Sequence, residues 1–466
     1  MNVLFVASDH VGTSMAGPGI RAFRFAQELS KRFDVTLCVP YETDLDPGPV
    51  DLVVENPYDS RAMTRLTTQF DGVVAQRLPV PTLRALARSR TRTVYDLYAP
   101  LTIENLAFDA GRTLGRSESA YFRLNTLTQE AVLRYGDAFI CASEQQRDLW
   151  LGALLTLGRV DHRGYAADPT FRSLIDVVPF GIEPEPPVRG RAMRGVVPGI
   201  DDTSRILLWP GGIWNWFDPL TVIRAVATLR KSRDDVWLVF LGIRHPNPGV
   251  PAMAMTQRAL DLVDELGLEG RGVHFNSGWV PYNERGAWLL EADLGVSAHL
   301  DELETRFAYR TRLLDCFWAG LPVIATEGDS LGNLIADRGL GRVVAPLDVA
   351  GWTDAVTSLL DADDERRSIQ QRLALVRAEL AWPKITETLV RLLESPADRS
   401  ATRTLDGTLA SYGARRAEYA VASRGLGGAV QRAAAIVGEQ VARRTVRRRS
   451  APEASVRSSD TLDADE

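Results

Sequence analysis

The sequence predicts an α/β protein: two Rossmann-like, doubly wound domains facing across a cleft, followed by a C-terminal helical or disordered tail. Three observations carry this. Short apolar runs rich in β-branched residues alternate with longer segments of helical period almost from end to end, which is the pattern of buried parallel strands joined by helices. The alternation stops once, at the Pro-, Gly- and charge-rich stretch 181–204, and then restarts. A length of 466 residues fits two sizeable domains and a remainder.

The first series of strands is read at 2–8, 34–40, 71–76, 92–98, 137–143 and 173–181, and the second at 205–212, 235–242, 272–280, 292–299, 321–326 and 341–346. Between the first two strands, "GIRAFRFAQELSKRF" (19–33) places Ile20, Phe23, Ala26 and Leu29 on one stripe of a helix. The expected organisation is a first domain over 1–183, a linker over 184–204, a second domain over 205–378, a closing helix over 379–395 and a tail over 396–466. In the tail, Leu426, Val430, Ala433, Val437 and Val441 recur at helical spacing before "RRTVRRR" (443–449). A basic amphipathic helix over 426–449 suits an anionic membrane surface, and equally suits docking on the protein's own body or a disordered tail.

A formal net charge of −6 argues against a nucleic-acid binder, which needs a basic field over its binding face. Cys38, Cys141 and Cys316 lie far apart in apolar segments without metal-ligand spacing, as expected of reduced core thiols. The run "MNVLFVASDH" has no basic leader or cleavage site, and no window reaches the length of a spanning helix. The expected location is therefore cytoplasmic, with a peripheral position at the inner membrane face as the role of the basic tail. No HxH, HExxH, P-loop or GxSxG pattern occurs, so neither a metal centre nor those hydrolytic chemistries are expected.

Three places carry chemistry. "AGPGIRAFRFAQEL" (16–29) sets Gly17 and Gly19 in a turn that opens a helix, where backbone N–H groups and the helix dipole favour an anion; Arg21 is within reach of it. The plainer reading is a tight turn with a surface arginine. At the matching place in the second domain, "WPGGIWNWFDPL" (209–220) ends a strand with Gly211 and Gly212 and crowds Trp214 and Trp216 onto a loop, as a packed lid or as a platform for a ring. Asp218 before Pro219 reads as an N-cap. In "FAYRTRLLDCFWAGLPVIATEGD" (307–329), Thr311 is the expected cap of a helix flanked by Arg310 and Arg312. That grouping suits a diphosphate, and Asp315, one turn inside, suits a ribose diol. Alternatively the arginines pair with Asp301, Glu302 or Glu304 at the surface.

These stretches, with "CASEQQRDLWL" (141–151), "VPFGI" (178–182), "LVFLG" (238–242) and "FNSGWVPYNERGAWLLEADLGVSAH" (275–299), resemble the retaining glycosyltransferases of family four over roughly residues 1–395. The resemblance implies the GT-B fold of two facing Rossmann-like domains. It implies that Gly17 to Gly19 meet donor phosphates and acceptor, that Gly278, Trp279 and Val280 hold the nucleotide base through the backbone, and that Asp315 stands for the ribose-binding glutamate. It also implies that the amides from Arg310 to Arg312 lie near the diphosphate. The chain departs from the family at Gly212 and Phe217, where an Arg and a Lys are usual, and at Phe307, where the first glutamate of a pair is usual. The expected compensation is that Arg310, Arg312 and Arg21 supply the charge, while Glu304 or Asp218 replaces the missing acid.

The expected activity is metal-independent, cofactor-free transfer of a sugar from a nucleotide diphosphate donor to a hydroxyl acceptor, with retention, in cell-surface glycan or glycolipid synthesis. The alternatives are a non-catalytic sugar- or nucleotide-binding scaffold on the same fold, and an epimerase of nucleotide sugars.

Overall fold

A computed structural model describes residues 1–109, 114–243, 253–278, 280–396, 410–425, 427–428 and 431. The expected membrane-binding helix over 426–449 falls almost wholly outside the described residues, as does Trp279. Among the described residues no helix is long and apolar enough to cross a membrane.

Two parallel sheets organise the chain. The first contains β1 (Asn2–Val6), β2 (Asp34–Val39), β3 (Asp51–Val54), β4 (Gly72–Ala75), β5 (Arg92–Asp96), β6 (Ala138–Cys141) and β7 (Ile175–Val177), in the order β3-β2-β1-β4-β5-β6-β7. The second contains β8 (Arg205–Trp209), β9 (Val236–Phe240), β10 (Val273–Phe275), β11 (Leu294–Ser297), β12 (Val323–Thr326) and β13 (Gly341–Val344), in the order β10-β9-β8-β11-β12-β13. Twelve of these strands fall within the runs the sequence marks. The exception is β3, an edge strand whose Leu52 and Val54 remain 38% and 52% exposed. Its two faces bury too little to leave an apolar run or an alternation.

Strand order reverses between β1 and β4 in the first sheet and between β8 and β11 in the second. Each reversal opens a crevice at the carboxyl ends of the strands, because the connections leave to opposite sides there. The glycine-rich turns after β1 and β8 sit at these two points. The helix Trp382–Glu394 returns to the first sheet: Phe25 meets the Trp382 ring edge-on at 5.3 Å, and the Arg92 Nε donates to the Leu392 carbonyl at 3.0 Å. Gly181 is required there, since a Cβ would lie 2.2 Å from the Trp382 ring. All three cysteines are buried free thiols.

Both sheets belong to one compact unit, Met1–Thr113 with Asn125–Leu409; Leu114–Leu124 and the described residues from Ala410 group separately. Within the smaller unit the Tyr121 and Tyr419 rings pack 5.4 Å apart, and Arg123 pairs with Glu418.

Candidate functional site

The turn after β1 feeds the helix Gly17–Leu29, whose N-cap is Ala16 and whose first amides receive no side-chain cap. Gly17 meets both halves: a Cβ there would lie 3.6 Å from the Thr311 Oγ1, 3.8 Å from the Phe180 ring and 3.9 Å from the Tyr98 hydroxyl. Gly19 does something different. A Cβ on it would lie 2.1 Å from the His10 carbonyl oxygen, so close packing of the turn requires glycine there.

Arg21 also departs from expectation. It is buried, and its Nε and Nη2 donate to Asp96 at 2.6 and 3.1 Å, while Nη1 and Nη2 donate to the Pro179 and Val178 carbonyls at 2.7 and 2.9 Å. The guanidinium lies 4.6 Å from the Phe25 ring centre and 4.8 Å from that of Tyr98. Its charge and its donors are consumed inside the first sheet's domain, so Arg21 is neither a surface residue nor an anion ligand.

At the second reversal, Gly211 takes a φ of +144°, and a Cβ on it would lie 3.6 Å from the Arg312 Cζ. Nothing stands within 4 Å of the equivalent position on Gly212. The Trp214 and Trp216 rings stack 5.2 Å apart and within 5° of parallel. Their loop is pinned by Asn215, which donates to the Phe108 carbonyl at 3.4 Å and accepts from the Met255 amide at 3.3 Å. Asp218 caps the helix Pro219–Leu229 through Oδ1, which accepts from the Thr221 amide at 3.1 Å; its buried Oδ2 has no partner.

The helix Arg312–Ala319 begins beside these glycines. Thr311 has helical dihedrals and its side chain caps nothing, contrary to expectation, so the helix presents its positive end without a side chain of its own over it. Arg310 is buried and its guanidinium grips Glu304 with two bonds, Nη1 to Oε1 at 2.9 Å and Nη2 to Oε2 at 2.6 Å, with the Asp329 Oδ2 3.5 Å from Nε. His299 approaches the same Asp329 oxygen at 3.4 Å. The anticipated pairing with Glu304 thus exists, but in the interior. Arg310 and Glu304 compensate each other, and neither is free to serve a ligand as expected.

Arg312 is the contrast. It stacks 3.7 Å from the Phe217 ring centre, lies 5.7 Å from that of Trp209, and makes no hydrogen bond or ion pair among the described residues. Its Nη1 is covered and unpartnered. Loss of hydration, with the Arg310 charge alongside, pushes the guanidinium down to about 9. A buried cation without a counter-ion is costly, and an arriving anion removes that cost.

Asp315 is held by Arg285, whose Nε donates to Oδ1 at 3.0 Å. No local pattern marks this partner, 30 positions away. Arg285 lies 3.7 Å over the Tyr282 ring and 4.6 Å from that of Trp318, and it also donates to the Tyr282 carbonyl. Tyr282 in turn bridges the two halves: its amide donates to the Thr13 carbonyl at 3.1 Å, and its hydroxyl shares Glu183 with Arg24. Val280 is half-buried against the core, and Gly278 is exposed, its amide 3.4 Å from the Asn276 Oδ1.

Further contacts join the halves around Phe307. The Gln146 Nε2 donates to the carbonyls of Tyr98 and Phe307 at 2.7 and 2.8 Å, and Ser330 donates to Gln145 at 2.9 Å. Glu104, on the helix Leu101–Asp109, is half-buried and its carboxyl is raised to about 7, first by desolvation and then by the facing Glu304 charge. Sequence reasoning passed over it, since a single glutamate in an apolar helix has no spacing signature.

The structure therefore gathers Gly17, Gly211, Thr311 and Arg312, with Phe217 beneath the guanidinium, and withdraws Arg21, Arg310 and Glu304 into internal contacts. Residues 204–362 match the family model described as "Glycosyl transferases group 1". A D-inositol 3-phosphate glycosyltransferase of Pseudarthrobacter chlorophenolicus is 27% identical over 233 residues, 48% of this chain and 51% of that protein. One of Gordonia bronchialis is 24% identical over 309 residues, 64% and 62% of the two chains. The chain spans about half the length of the first of these relatives. Among solved structures, Anabaena Alr3699/HepE in complex with UDP-glucose superposes with a TM-score of 0.59 at 13% identity, over 84% of this chain and 99% of that one. WaaG, a glycosyltransferase of lipopolysaccharide biosynthesis, gives 0.58 at 17%, over 84% and 100%. Residues 204–362 are thus similar to the group 1 glycosyltransferases, and the two parallel sheets have the GT-B fold.

Proposed function

We propose that the protein transfers a sugar from a nucleotide diphosphate donor to a hydroxyl acceptor with retention of anomeric configuration. The observation that carries this reading is the uncompensated Arg312 guanidinium at a helix N-terminus, with Gly17 of a second uncapped helix close to Thr311. Each helix end is worth about half a positive charge. Two such ends and one guanidinium sum to about the two negative charges of a departing diphosphate. That sum replaces the Arg and Lys usual in the family, which this chain lacks at Gly212 and Phe217.

In this reading the chemistry is electrostatic. Arg312 and the two sets of amides stabilise the leaving group as the glycosidic bond lengthens, in a cleft from which closure excludes water. Arg310 and Glu304 act by fixing the start of the Arg312 helix against His299 and Asp329. Asp315, oriented by Arg285, receives the ribose hydroxyls, and the stacked Trp214 and Trp216 offer a face to a ring. Neutralisation by side chains and helix ends makes the reaction metal-independent, which an EDTA control tests.

HepE was solved with UDP-glucose and the curated relatives act on D-inositol 3-phosphate, so a UDP-sugar is the first donor to test, with a polyol as acceptor. Thermal shift with UDP, GDP and their sugars, followed by product detection, is the experiment. A chain that neither binds nor turns over any nucleotide sugar overturns the proposal. The second reading, a non-catalytic nucleotide-sugar binder, is favoured by the internal neutralisation of Arg310 and predicts binding without turnover. Glycan or glycolipid synthesis at an anionic membrane surface, reached through 426–449, is the context we propose; sedimentation with anionic vesicles tests it.

A further inference from the structure

At the carboxyl end of the helix Arg312–Ala319, away from the grouping around Arg312, lies a cavity of about 260 Å³. Its apolar wall is made by Pro186 and Pro187 of the linker, Leu290 of the helix Arg285–Glu291, and Phe317 and Trp318 of the last turn of the Arg312 helix. These pieces are fastened to one another. The Trp318 Nε1 donates to the Glu185 carbonyl at 2.6 Å, and a Cβ on Gly286 would lie 2.8 Å from Pro187 and 3.4 Å from the Trp318 ring.

Two arginines complete the lining. Arg377, on the helix Asp363–Glu379, donates from Nη1 to the Trp318 carbonyl at 3.4 Å and makes no ion pair among the described residues. Arg189 is exposed, with neither hydrogen bond nor ion pair among the described residues. The other polar side chain at the cavity is the neutral Gln370, and no described carboxylate lines it. A closed apolar cavity of roughly 150 Å³ holds one benzene ring. The larger volume here suits a ring or short chain together with a charged head, and the lining decides the sign of that head. An ammonium group meets two like charges, whereas a carboxylate or phosphate meets two opposite ones. An anion without an apolar body leaves the wall to water.

We propose that this cavity is an effector site for a small anion with an apolar body, an aromatic or short-chain carboxylate or phosphate ester, and that its occupancy strengthens donor binding. Trp318 carries the connection. It stands one turn after Asp315 on the same helix, and its ring centre lies 4.6 Å from the Arg285 guanidinium that holds Asp315. A ligand packed on Trp318 fixes the linker, this ring and so Arg285 in the arrangement that presents Asp315, and a donor arriving afterwards has less to order. The site itself stands apart from the reading of the cleft as a transferase centre; its effect on donor affinity rests on that reading.

The test is calorimetric titration of the full chain with benzoate, and with acetate and benzyl alcohol as probes of the charge and of the apolar body alone. Benzoate is expected to bind at least tenfold more tightly than either, and to lose at least fivefold in Arg377→Gln and in Ala374→Phe. Ala374 lines the cavity from an exposed position, so Ala374→Phe fills the space and reads the site even if Arg377→Gln loosens the helix end. With benzoate saturating, UDP affinity rises at least threefold in wild type and stays unchanged in Ala374→Phe, and UDP tightens benzoate by the same factor. Absence of benzoate binding to wild type, or binding indifferent to both substitutions, overturns the site. Benzyl alcohol binding as tightly as benzoate overturns the anionic assignment, and acetate doing so overturns the apolar one. UDP affinity unmoved by bound benzoate overturns the coupling. A chain that binds benzoate as expected and no nucleotide removes the donor assignment, and the coupling with it, and leaves the cavity standing as a site.

Discussion

Arg21 and Arg312 each sit in the first turns of a helix that opens after a glycine-bearing turn, and each lies over aromatic rings. They differ in one respect. Arg21 has the Asp96 carboxylate and two backbone carbonyls around it, whereas Arg312 has no bonded partner among the described residues. The difference teaches that a cation and a helix end do not make an anion site: the site is where the counter-charge is missing. A guanidinium whose donors are all satisfied is a structural clasp, and one left unsatisfied in a covered position gains by meeting a ligand.

The largest expected effect separates these two roles. Arg21→Ala leaves Asp96 buried without its partner and lowers unfolding stability by about 3–5 kcal/mol in urea denaturation. Arg312→Ala relieves an unpaired charge, so stability is unchanged or higher. An equal loss in both variants breaks the comparison.

Next comes binding. Arg312→Ala lowers affinity for a nucleoside diphosphate by about 10- to 100-fold, the weight of one charge-assisted contact of roughly 1.5–3 kcal/mol. Calorimetry reads this directly, and a change below twofold removes Arg312 from the site.

The carboxylates extend the contrast with a smaller effect. Asp96 has a guanidinium to itself, whereas Glu104 faces Glu304, whose charge is already shared with Arg310. With its carboxyl raised from 4.5 to about 7, Glu104 holds a proton in the folded state that the unfolded chain has released. Stability therefore falls as pH rises across that window. Glu104→Gln flattens the fall and raises stability at pH 8 by about 1 kcal/mol after allowance for its partial exposure. Unfolding curves at pH 5 and pH 8 that move in parallel for variant and wild type dismiss the pair.

The smallest effect concerns aromatics. Phe217 and Trp209 support a charge, whereas Trp214 and Trp216 stack on each other at the cleft loop. Trp214→Ala raises KM for a sugar donor a few-fold, about 1 kcal/mol of ring contact, and leaves nucleotide affinity unchanged. Equal weakening of nucleotide and nucleotide sugar makes the pair a lid and not a platform.

Most of the fold was legible because parallel strands buried on both faces announce themselves as apolar runs, as β4, β5 and β6 do. Edge strand β3 was not, since half-exposed residues leave no such trace. At the site, Gly17, Arg312 and Asp315 were legible from glycine and charge at helix starts. Arg310 carried the same signature and proved to be internal, because the acid that neutralises it sits six residues away on a separate short helix. Arg285 and Glu104 were invisible, each meeting its neighbours through contacts far apart in sequence.

By itself, the sequence determined the two sheets, their alternation with helices and the turns at which strand order reverses, because these depend on local period and on where glycine permits the backbone to turn. The tertiary structure alone decided which charges are spent and which remain. Compensation depends on the distance between groups that the chain separates by as many as 75 positions, as with Arg21 and Asp96, and only folding sets that distance.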